Sequence, residues 1–268
     1  PDIQKTYGQG RQIVTGGGTT IDTASELSWG NSIGSSPTFD NIKDFYSSAV
    51  TSNHSVNYSG GTDKSNIYFS IGDISQDGVI DRTSYDKTSF RINASSQFSK
   101  KFTMGVSANY ITTETNSSKQ GNASGSSFLS LLAYPANINA QDYLNTDNSQ
   151  KSFFEEQLFD NPYWSKDKSP NKDNVDRLMG IISLNYNIWD NLNLSYKVGI
   201  DNFTQFNKKI IGDGSFINSR GNGYISQFDS DHKLLNSNLL LTFQKNITED
   251  FSLDALIGNS VEELDVRT

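Results

Sequence analysis

One segment of the sequence places oxygen-bearing side chains at the spacing of a calcium-binding loop. Residues 73–84 begin Asp-Ile-Ser-Gln-Asp-Gly, with oxygen ligands at alternate positions and a glycine at the sixth. The twelfth position of such a loop needs a bidentate glutamate, and it holds Ser84. The flanking segments have strand patterns, and Asp-Gly is a common turn pair. We therefore predict a turn between two strands here and no metal site.

The other candidate residues do not form a catalytic group. Glu155 and Glu156 are adjacent, so their carboxylates diverge in a strand or helix, whereas glycoside hydrolysis needs two converging acids. A solvated helix face over 152–159 explains them better. His54 and His232 lie far apart without an acidic cluster beside them, and the chain has no cysteine. Because triads and metal sites are built from such residues, the sequence predicts no enzyme, no cofactor and no metal.

A long loop, at about 113–174, is the stronger candidate for a functional surface. It contains an apolar stretch, 128–135, that is compatible with a short helix ended by Pro135. Further on, Asn161-Pro162 predicts a turn, and Tyr163 and Trp164 follow in a charged setting. Loops of this size are usually functional or disordered. Two interpretations stay open: the two rings contact a substrate or partner protein, or they pin this loop onto a neighbouring loop.

The elements that position these residues are β-strands. Apolar and polar side chains alternate from Thr88 to Phe98, and again after a short break. Period-two alternation is typical of a strand with one apolar and one polar face. The clear segments are 88–98, 102–110, 178–188 and 192–201, and weaker ones are 54–58, 67–71, 235–245 and 251–261. The pattern predicts about eight strands.

Strand length favours a membrane barrel over a soluble sandwich. Several segments alternate for ten residues or more, whereas soluble strands usually have about five or six residues and a bilayer needs about 9–11. Aromatic residues such as Phe98, Phe102 and Trp189 lie next to the short breaks, where an interfacial girdle is expected. A soluble β-sandwich, whose aromatic residues fill its core, stays open as the alternative.

The alternation also predicts which side chains share a face. We expect the lipid to contact Phe90, Ile92, Val106, Tyr110, Leu184, Leu194, Tyr196 and Val198. We expect the lumen to be lined by Arg91, Asn93, Asn109, Asn185, Ser195 and Lys197. Half of each strand facing a polar lumen explains the low apolar content of 34%.

The connections alternate between short and long, which is typical of an up-and-down antiparallel meander. In outer-membrane barrels the short turns are periplasmic and the long loops extracellular. The predicted fold is therefore all-β: an up-and-down transmembrane β-barrel segment of about eight strands. Residues 1–49 are predicted to be an extracellular loop or linker region, with the glycine-rich 16–20 as a flexible linker. Residues 50–268 are predicted to form barrel wall, interrupted by the loop at about 113–174.

Composition excludes several other classes of protein. The chain has 30 acidic and 22 basic residues and a net charge of −8, which disfavours binding to nucleic-acid phosphates. No run of apolar residues approaches the length of a transmembrane helix. The 38 serines, 28 asparagines and 21 glycines argue against a helical protein.

Several stretches resemble the SusC/RagA family of TonB-dependent outer-membrane transporters of Bacteroidetes. They are 39–46, 53–70, 77–80, 85–93 and 160–164, and the Ser-Gly-Gly-Thr hairpin at 59–62 is the most specific. The resemblance covers most of the chain from about residue 39 onward. Residues 1–38 fit only loosely.

The resemblance implies a large barrel, of 22 strands around a plug, that imports oligosaccharides or peptides through the outer membrane. It also implies a SusD-like surface lipoprotein as partner and energy supplied through TonB. No TonB box or plug motif is present, so we expect this chain to be an internal piece of the barrel wall. A surface-exposed glycan-binding or adhesive β-rich module is the alternative function.

Overall fold

The structure is a computed structural model, and it describes residues 4–25, 27–119, 126–153, 159–216 and 222–268. The first strands are β1 (Gly10–Thr15), β2 (Gly18–Asp22) and β3 (Ser28–Trp29), followed by helix α1 (Asn41–Phe45). The long strands then begin with β4 (Thr51–Thr62), β5 (Ser65–Asp77), β6 (Ser84–Gln97) and β7 (Phe102–Ser117). Two helices follow, α2 (Ser127–Ala133) and α3 (Pro162–Lys168). The last strands are β8 (Asn171–Trp189), β9 (Leu192–Ile211), β10 (Tyr224–Asn246) and β11 (Ser252–Arg267).

Strands β4 to β11 form one antiparallel sheet, which we call the main sheet. Each strand pairs with the strands that precede and follow it in sequence, so the sheet is an up-and-down meander. In the described part of the chain, β4 and β11 each pair on one side only, and the sheet is open. The predicted all-β, eight-stranded antiparallel segment is therefore confirmed.

The strands are longer than the sequence pattern predicted. β8, β9 and β10 have 19, 20 and 23 residues, and their added residues lie at the ends away from the short turns. The loop expected at about 113–174 consequently spans only 118–170, and the loop between β9 and β10 begins after Ile211. The first added residues of β8, 171–174, are polar on both faces. Their ladder hydrogen bonds continue although the alternation has ended.

The segment 73–84 is divided between a strand and a turn. Residues 73–77 belong to the end of β5, and residues 78–83 connect β5 to β6. Gly78 N–H donates to the Thr83 carbonyl at 2.8 Å, which closes the turn. The predicted turn is present, but it is shorter than the calcium-like segment.

The region 1–49, predicted as a loop or linker, contains regular structure where it is described. β1 and β2 form a hairpin, and β3 pairs with β1 in parallel. The glycine-rich 16–20, expected to be a flexible linker, is the turn of this hairpin and the start of β2. Gly18 has a φ of +134°, a conformation that glycine adopts without a Cβ penalty. Turn geometry therefore explains the glycines better than flexibility does.

Helices α2 and α3 begin and end at residues with clear local reasons. α2 stops just before Pro135, as predicted, because the residue preceding a proline disfavours the helical conformation. Asn161-Pro162 was expected to form a turn, but it begins α3. The Asn161 side chain accepts a hydrogen bond from Tyr163 N–H, and Pro162 occupies the first helical turn. The helix predicted over 152–159, with Glu155 and Glu156, falls mainly on 154–158, which lie outside the described residues.

The helices and the segments around them pack together at the long-loop end of the main sheet. We call residues 27–50, 126–153, 159–170 and 212–216 the loop layer. The fully or nearly buried hydrophobic side chains of the described residues all lie in this layer: Ile33, Phe45, Leu131, Tyr134, Ala136, Ala140, Phe153 and Trp164. No helix in the described ranges combines the length and the apolar character needed to cross a bilayer.

Candidate functional site

One face of the main sheet, which we call the apolar face, is continuously hydrophobic across neighbouring strands. The register pairs Phe90 with Tyr110, and Val106 with Ile182, which in turn pairs with Val198. Directly paired residues lie on the same face of a sheet. The register extends this face from Val56 and Ile71 on β4 and β5 to Leu241 and Ile257 on β10 and β11. The residues predicted to face lipid all share this face, which is what the alternation predicted.

The apolar face ends in a polar row. Asp73, Thr88, Thr112 and Asp176 are paired one after another on the same face, directly beyond the last apolar residues of β5 to β8. Thr88 Oγ1 donates to Asp73 Oδ2 at 3.1 Å. A sharp change from apolar to charged side chains on one face indicates a change in the surrounding medium.

The lower edge of the apolar face carries aromatic rings at the short turns. Phe98 and Phe102 flank one turn, with ring centroids 5.7 Å apart. Trp189 pairs with Leu192 across a register shift, or β-bulge, after Asn187. The bulge brings the indole back onto the apolar face, where it is 67% exposed. These exposed aromatic residues match the position expected of an interfacial girdle.

The opposite face, which we call the polar face, carries all the predicted lumen residues. Arg91 pairs with Asn109, Asn185 pairs with Ser195, and Asn93 accepts a 2.6 Å hydrogen bond from Ser107 Oγ. Lys197 lies on the same face, paired with Ser183. This face also has apolar members that the sequence analysis missed, namely Ile181, Leu240, Leu256 and Leu264. That the polar face lines a lumen stays a prediction.

A charged and aromatic cluster crosses the polar face near the loop layer. Arg177 donates two hydrogen bonds to Asp201, at 2.9 and 2.6 Å, and its guanidinium lies 5.9 Å from the Phe203 ring. His232 stacks on Phe203 with a centroid separation of 4.3 Å and an interplanar angle of 6°. The sequence analysis missed this cluster because its members lie on three different strands.

Buried polar side chains hold the loop layer together. The Asp160 carboxylate is 1% exposed and accepts hydrogen bonds from the Gln150 amide, Ser215 Oγ and Phe216 N–H, at 2.7–3.1 Å. Next to it, the Asn161 amide donates to Tyr134 Oη and the Ala140 carbonyl, both at 2.9 Å. These bonds connect the β7–β8 loop to the β9–β10 loop. Burial is the main factor that raises the pKa of Tyr134.

Trp164, for which the sequence left open a role in ligand contact or in loop packing, is buried in the structure. It is 2% exposed and packs beneath the β9–β10 loop, with its Cζ2 3.8 Å from the position of a Cβ on Gly214. Gly214 has a φ of +88°, so glycine both fits the turn and leaves room for the indole. The amphipathic character and charged neighbours of Trp164 suggested a surface position, but its helix turns the ring inward.

Tyr163, on the same helix, is partly buried at the side of the layer. Its ring contacts Phe45 edge to face at 5.1 Å and stacks on Tyr143 at 6.1 Å. Burial is the main factor that raises its pKa. These contacts support the alternative role in which the ring pins one loop onto another. A role in contacting a ligand stays a prediction for Tyr163.

Two ion pairs tie the β5–β6 turn to α3. Lys166 Nζ lies 3.0 Å from Asp81 Oδ2, and Arg82 Nη1 lies 3.4 Å from Asp167 Oδ1. The Lys166 ammonium lowers the pKa of Asp81, through its hydrogen bond first and its charge second. Asp81, which lies in the segment that resembled a calcium loop, thus connects the β5–β6 turn to the loop layer.

The described residues contain no group of side chains that could hold a metal ion. Within 4–25, 27–119, 126–153, 159–216 and 222–268, no three His, Asp or Glu side chains converge on a point that could hold a metal ion. His54 and His232 lie on β4 and β10, separated by the intervening strands of the main sheet. The described structure is a sheet with one apolar face and one polar face, and the loop layer packs at its long-loop end.

Comparison with known proteins finds matches among solved structures. No protein-family model matches the sequence, and no curated protein is significantly similar to it. The structure is similar to the RagAB peptide importer in its "closed-closed" state, with a TM-score of 0.65 and 19% identity. It is also similar to the RagAB peptide transporter and to the importer in the "open-open" state, each with a TM-score of 0.67, at 17% and 18% identity.

The matched region is large in this chain and small in the others. Each comparison covers 85% of this chain but only 26% of the other chain, so this chain spans about a quarter of the length of the chains it matches. At this level of identity the likeness concerns the fold. The chain has the fold of a segment found in the RagAB peptide importer structures.

Proposed function

We propose that this chain forms eight adjacent wall strands of a SusC/RagA-type, TonB-dependent importer in the outer membrane of a Gram-negative bacterium of the Bacteroidetes. The observation that carries the proposal is the continuous apolar face of the main sheet, which ends in one polar row. The described residues offer no layer that covers this face, and a lipid bilayer is the medium that would.

The height of the apolar face fits a bilayer. On β7 the apolar face runs from Phe102 to Tyr110, and on β8 it runs from Leu178 to Tyr186. At about 3.4 Å per residue and a strand tilt of about 40°, each stretch rises roughly 21 Å, close to the apolar band of about 25 Å on outer-membrane barrels. On β9 and β11 the apolar stretch ends closer to the short turns, at Ile200 and Val261. Such a drift is expected when strands tilt around a barrel.

With the apolar face toward lipid, the positions of the other parts of the chain follow. The polar face lines the lumen and exposes Arg91, Asn93, Asn109, Asn185 and Lys197 to the transported substrate. The loop layer lies outside the cell, and the short turns, such as that at Lys100, lie in the periplasm. In domain terms, 1–49 belongs to the extracellular region and 50–268 is wall interrupted by one long loop.

The cargo proposed for this chain is a peptide or an oligosaccharide. The similar structures are described as a peptide importer, which favours peptides, and the sequence resemblance allows both classes. A SusD-like surface lipoprotein would bind the loop layer from outside, and TonB would supply the energy for transport. The protein is proposed to have no enzymatic activity. The alternative, a glycan-binding or adhesive module, rested on exposed Tyr163 and Trp164, and the burial of Trp164 weakens it.

Uptake by cells tests the proposal. The complete polypeptide that carries this chain is expressed in a host with and without TonB, and fluorescent oligopeptides and oligosaccharides are supplied outside. We expect TonB-dependent accumulation of at least one probe. Reversing charge on the polar face, with Arg91→Glu and Lys197→Glu together, should change the rate several-fold at an unchanged surface level. The control Lys100→Glu, in a short turn, should leave the rate of uptake unchanged. Recovery of the protein in the soluble fraction, or no TonB-dependent uptake of any probe, contradicts the proposal.

A further inference from the structure

In two neighbouring rows of the polar face, aliphatic side chains are confined to one half of the main sheet. The first row of directly paired residues crosses β4 to β11 through Asn57, Ser70, Arg91, Asn109, Met179, Asp201, Leu234 and Leu264. In the second row, one step nearer the short turns, β8 contributes Ile181, which is 52% exposed. The leucine, isoleucine and methionine side chains of both rows thus lie on β8 to β11. Exposed apolar groups clustered in this way indicate a binding surface.

A glycine leaves a hollow among these side chains. Gly199 lies in the second row between Ile181 on β8 and Asn236 on β10. Met179 and Leu234 lie in the adjacent first row, on the same two strands. A Cβ on Gly199 would lie 3.7 Å from Ile181 Cγ1 and 4.0 Å from Asn236 Cβ, which are ordinary contact distances. We call this space the Gly199 hollow, and it has the shape and surroundings to seat an apolar side chain.

A fixed ion pair lies at the edge of the Gly199 hollow. Asp201 is two residues from Gly199 on β9, so both lie on the same face. Arg177 donates to Asp201 through Nε at 2.9 Å and through Nη2 at 2.6 Å. The two side chains are nevertheless 44% and 31% exposed. Because a guanidinium has five N–H groups and each carboxylate oxygen has two lone pairs, the pair presents donors and acceptors side by side.

An aromatic stack fixes the orientation of the guanidinium. Arg177 and His232 are paired with Phe203 from the strands on either side of it. The guanidinium lies 5.9 Å from the centre of the Phe203 ring, and the imidazole stacks on that ring at 4.3 Å. Both faces of Phe203 therefore contact a neighbouring side chain, and neither is open for stacking on a sugar ring. We call Arg177, Asp201, Phe203 and His232 the Arg177 cluster.

We propose that the Arg177 cluster and the Gly199 hollow together bind one residue of a transported peptide in an extended conformation. The proposal rests on the import function proposed above and chooses between its two classes of cargo. The N–H and C=O groups of an extended residue point to the same side, which complements an acceptor and a donor held side by side. Asp201 accepts from the peptide N–H, and Arg177 donates to the peptide carbonyl. The side chain projects perpendicular to these groups, into the Gly199 hollow, which favours an apolar one.

Equilibrium binding to the purified complete polypeptide in detergent tests this site. The probes are a fluorescent Gly-Ser peptide with one central leucine, the same peptide with serine in place of the leucine, and a neutral oligosaccharide. We expect the leucine peptide to bind about tenfold more tightly than the serine peptide, because the hollow buries most of one leucine side chain. Equal affinities of the two peptides, or no saturable binding of the leucine peptide, overturns the proposal.

Filling the hollow should remove the preference for leucine. Gly199→Val puts a β-branched side chain there, which strands accept well, and the two peptides should then bind equally. The control Ser59→Val lies in the same row, on β4, and should keep the tenfold preference. A preference that persists in Gly199→Val overturns the proposal. Competition by the oligosaccharide that is lost in Gly199→Val and kept in Ser59→Val also overturns it, because the hollow would then be a sugar site.

A double variant tests the ion pair separately from the hollow. Arg177→Gln with Asp201→Asn keeps the approximate shapes of both side chains and removes their charges. Because the pair binds the peptide backbone, this variant should weaken the binding of both peptides several-fold. The tenfold preference for leucine should remain, which also shows that the variant is folded. Unchanged affinity for both peptides overturns the proposed role of the pair.

The outcomes also distinguish this inference from the proposed function. If TonB-dependent uptake is observed and the leucine and serine peptides bind equally, the proposal for the Gly199 hollow is wrong and the importer stands. If a preference that depends on Gly199 is measured and no probe enters cells, the peptide site stands and the import function is wrong.

Discussion

The main sheet and the loop layer are stabilised in opposite ways. The buried hydrophobic side chains lie in the loop layer, where Trp164 and Leu131 pack as in a soluble protein. On the main sheet, large residues such as Ile182 and Ile257 are 46% and 72% exposed. The sheet is held by its ladder of backbone hydrogen bonds, and its apolar side chains need an outside medium. The difference shows that the loop layer buries a hydrophobic core of its own, whereas the apolar side chains of the main sheet must be covered by the surrounding medium.

The largest effect is expected inside the loop layer. Trp164→Ala removes a ring that is 2% exposed, and such truncations cost about 3–5 kcal/mol. Amide hydrogen exchange should become much faster in α2 and α3 and stay unchanged in β6 to β9. The control is Trp29→Ala, whose ring is 56% exposed and which should change local stability by less than about 0.5 kcal/mol. Simultaneous loss of protection in layer and sheet would show that the two regions are not independent.

The second effect concerns the two faces of the sheet. Val198→Lys puts a cation in the middle of the apolar face, opposite Ile182, and should cost about 2–4 kcal/mol in a bilayer. Ser195→Lys, on the same strand but on the polar face, should change stability by less than about 0.5 kcal/mol. Reversible unfolding of the complete polypeptide from lipid vesicles measures both. Equal costs for the two variants would contradict the assignment of faces.

A smaller effect is expected where the loops are joined. Asp160→Ala leaves the Gln150 amide, Ser215 Oγ and Phe216 N–H without their acceptor, at a cost of about 1–3 kcal/mol. The rate of amide hydrogen exchange at residues 212–216 should increase. Asp160→Asn should cost less, because its amide oxygen still accepts and the Ser215 hydroxyl can accept from its NH₂ group. If the alanine variant leaves 212–216 protected, the carboxylate does not hold the two loops together.

The smallest effect concerns the ion pair between the β5–β6 turn and α3. Lys166 lowers the pKa of Asp81, so the pair stabilises the turn above the ordinary pKa of Asp81. This stability is lost as the pH falls through the lowered value. Because the Asp81 side chain is 65% exposed, the effect should stay below about 1 kcal/mol and shrink in high salt. Proteolysis at 78–83 should accelerate on acidification, and Asp81→Asn should flatten that dependence. If the pH dependence of proteolysis is unchanged in Asp81→Asn, a group other than Asp81 causes it.

The sequence predicted the main sheet because its signal is local. Alternation with a period of two places Phe90 and Arg91 on opposite faces of any strand, and the register agrees. It could not predict how far the strands continue, because the start of β8, with Asn171 and Asp173 on one face and Lys172 and Asn174 on the other, is polar on both faces. It also missed apolar members of the polar face, such as Ile181, where neighbouring strands rather than the pattern decide the surroundings.

The loop layer was less predictable because its contacts are distant in sequence. Ser215 reaches Asp160 across 55 residues, and the Asn41 amide reaches the Ile138 carbonyl across 97. Nothing local to Trp164 shows that Gly214 leaves space for its ring. One local signal was available: Asn161-Pro162 has the chemistry of a helix start as well as of a turn.

Accessibility at two neighbouring positions on β8 tests the central claim most directly. Leu184 lies on the apolar face and Asn185 on the polar face, paired with Tyr196 and Ser195 respectively. Spin labels attached at Leu184→Cys and Asn185→Cys are examined in the complete polypeptide reconstituted in a bilayer. We predict that the label at 184 collides mainly with oxygen dissolved in lipid and the label at 185 mainly with a water-soluble nickel chelate. Equal access of the nickel chelate to both labels would contradict the assignment of the apolar face to lipid.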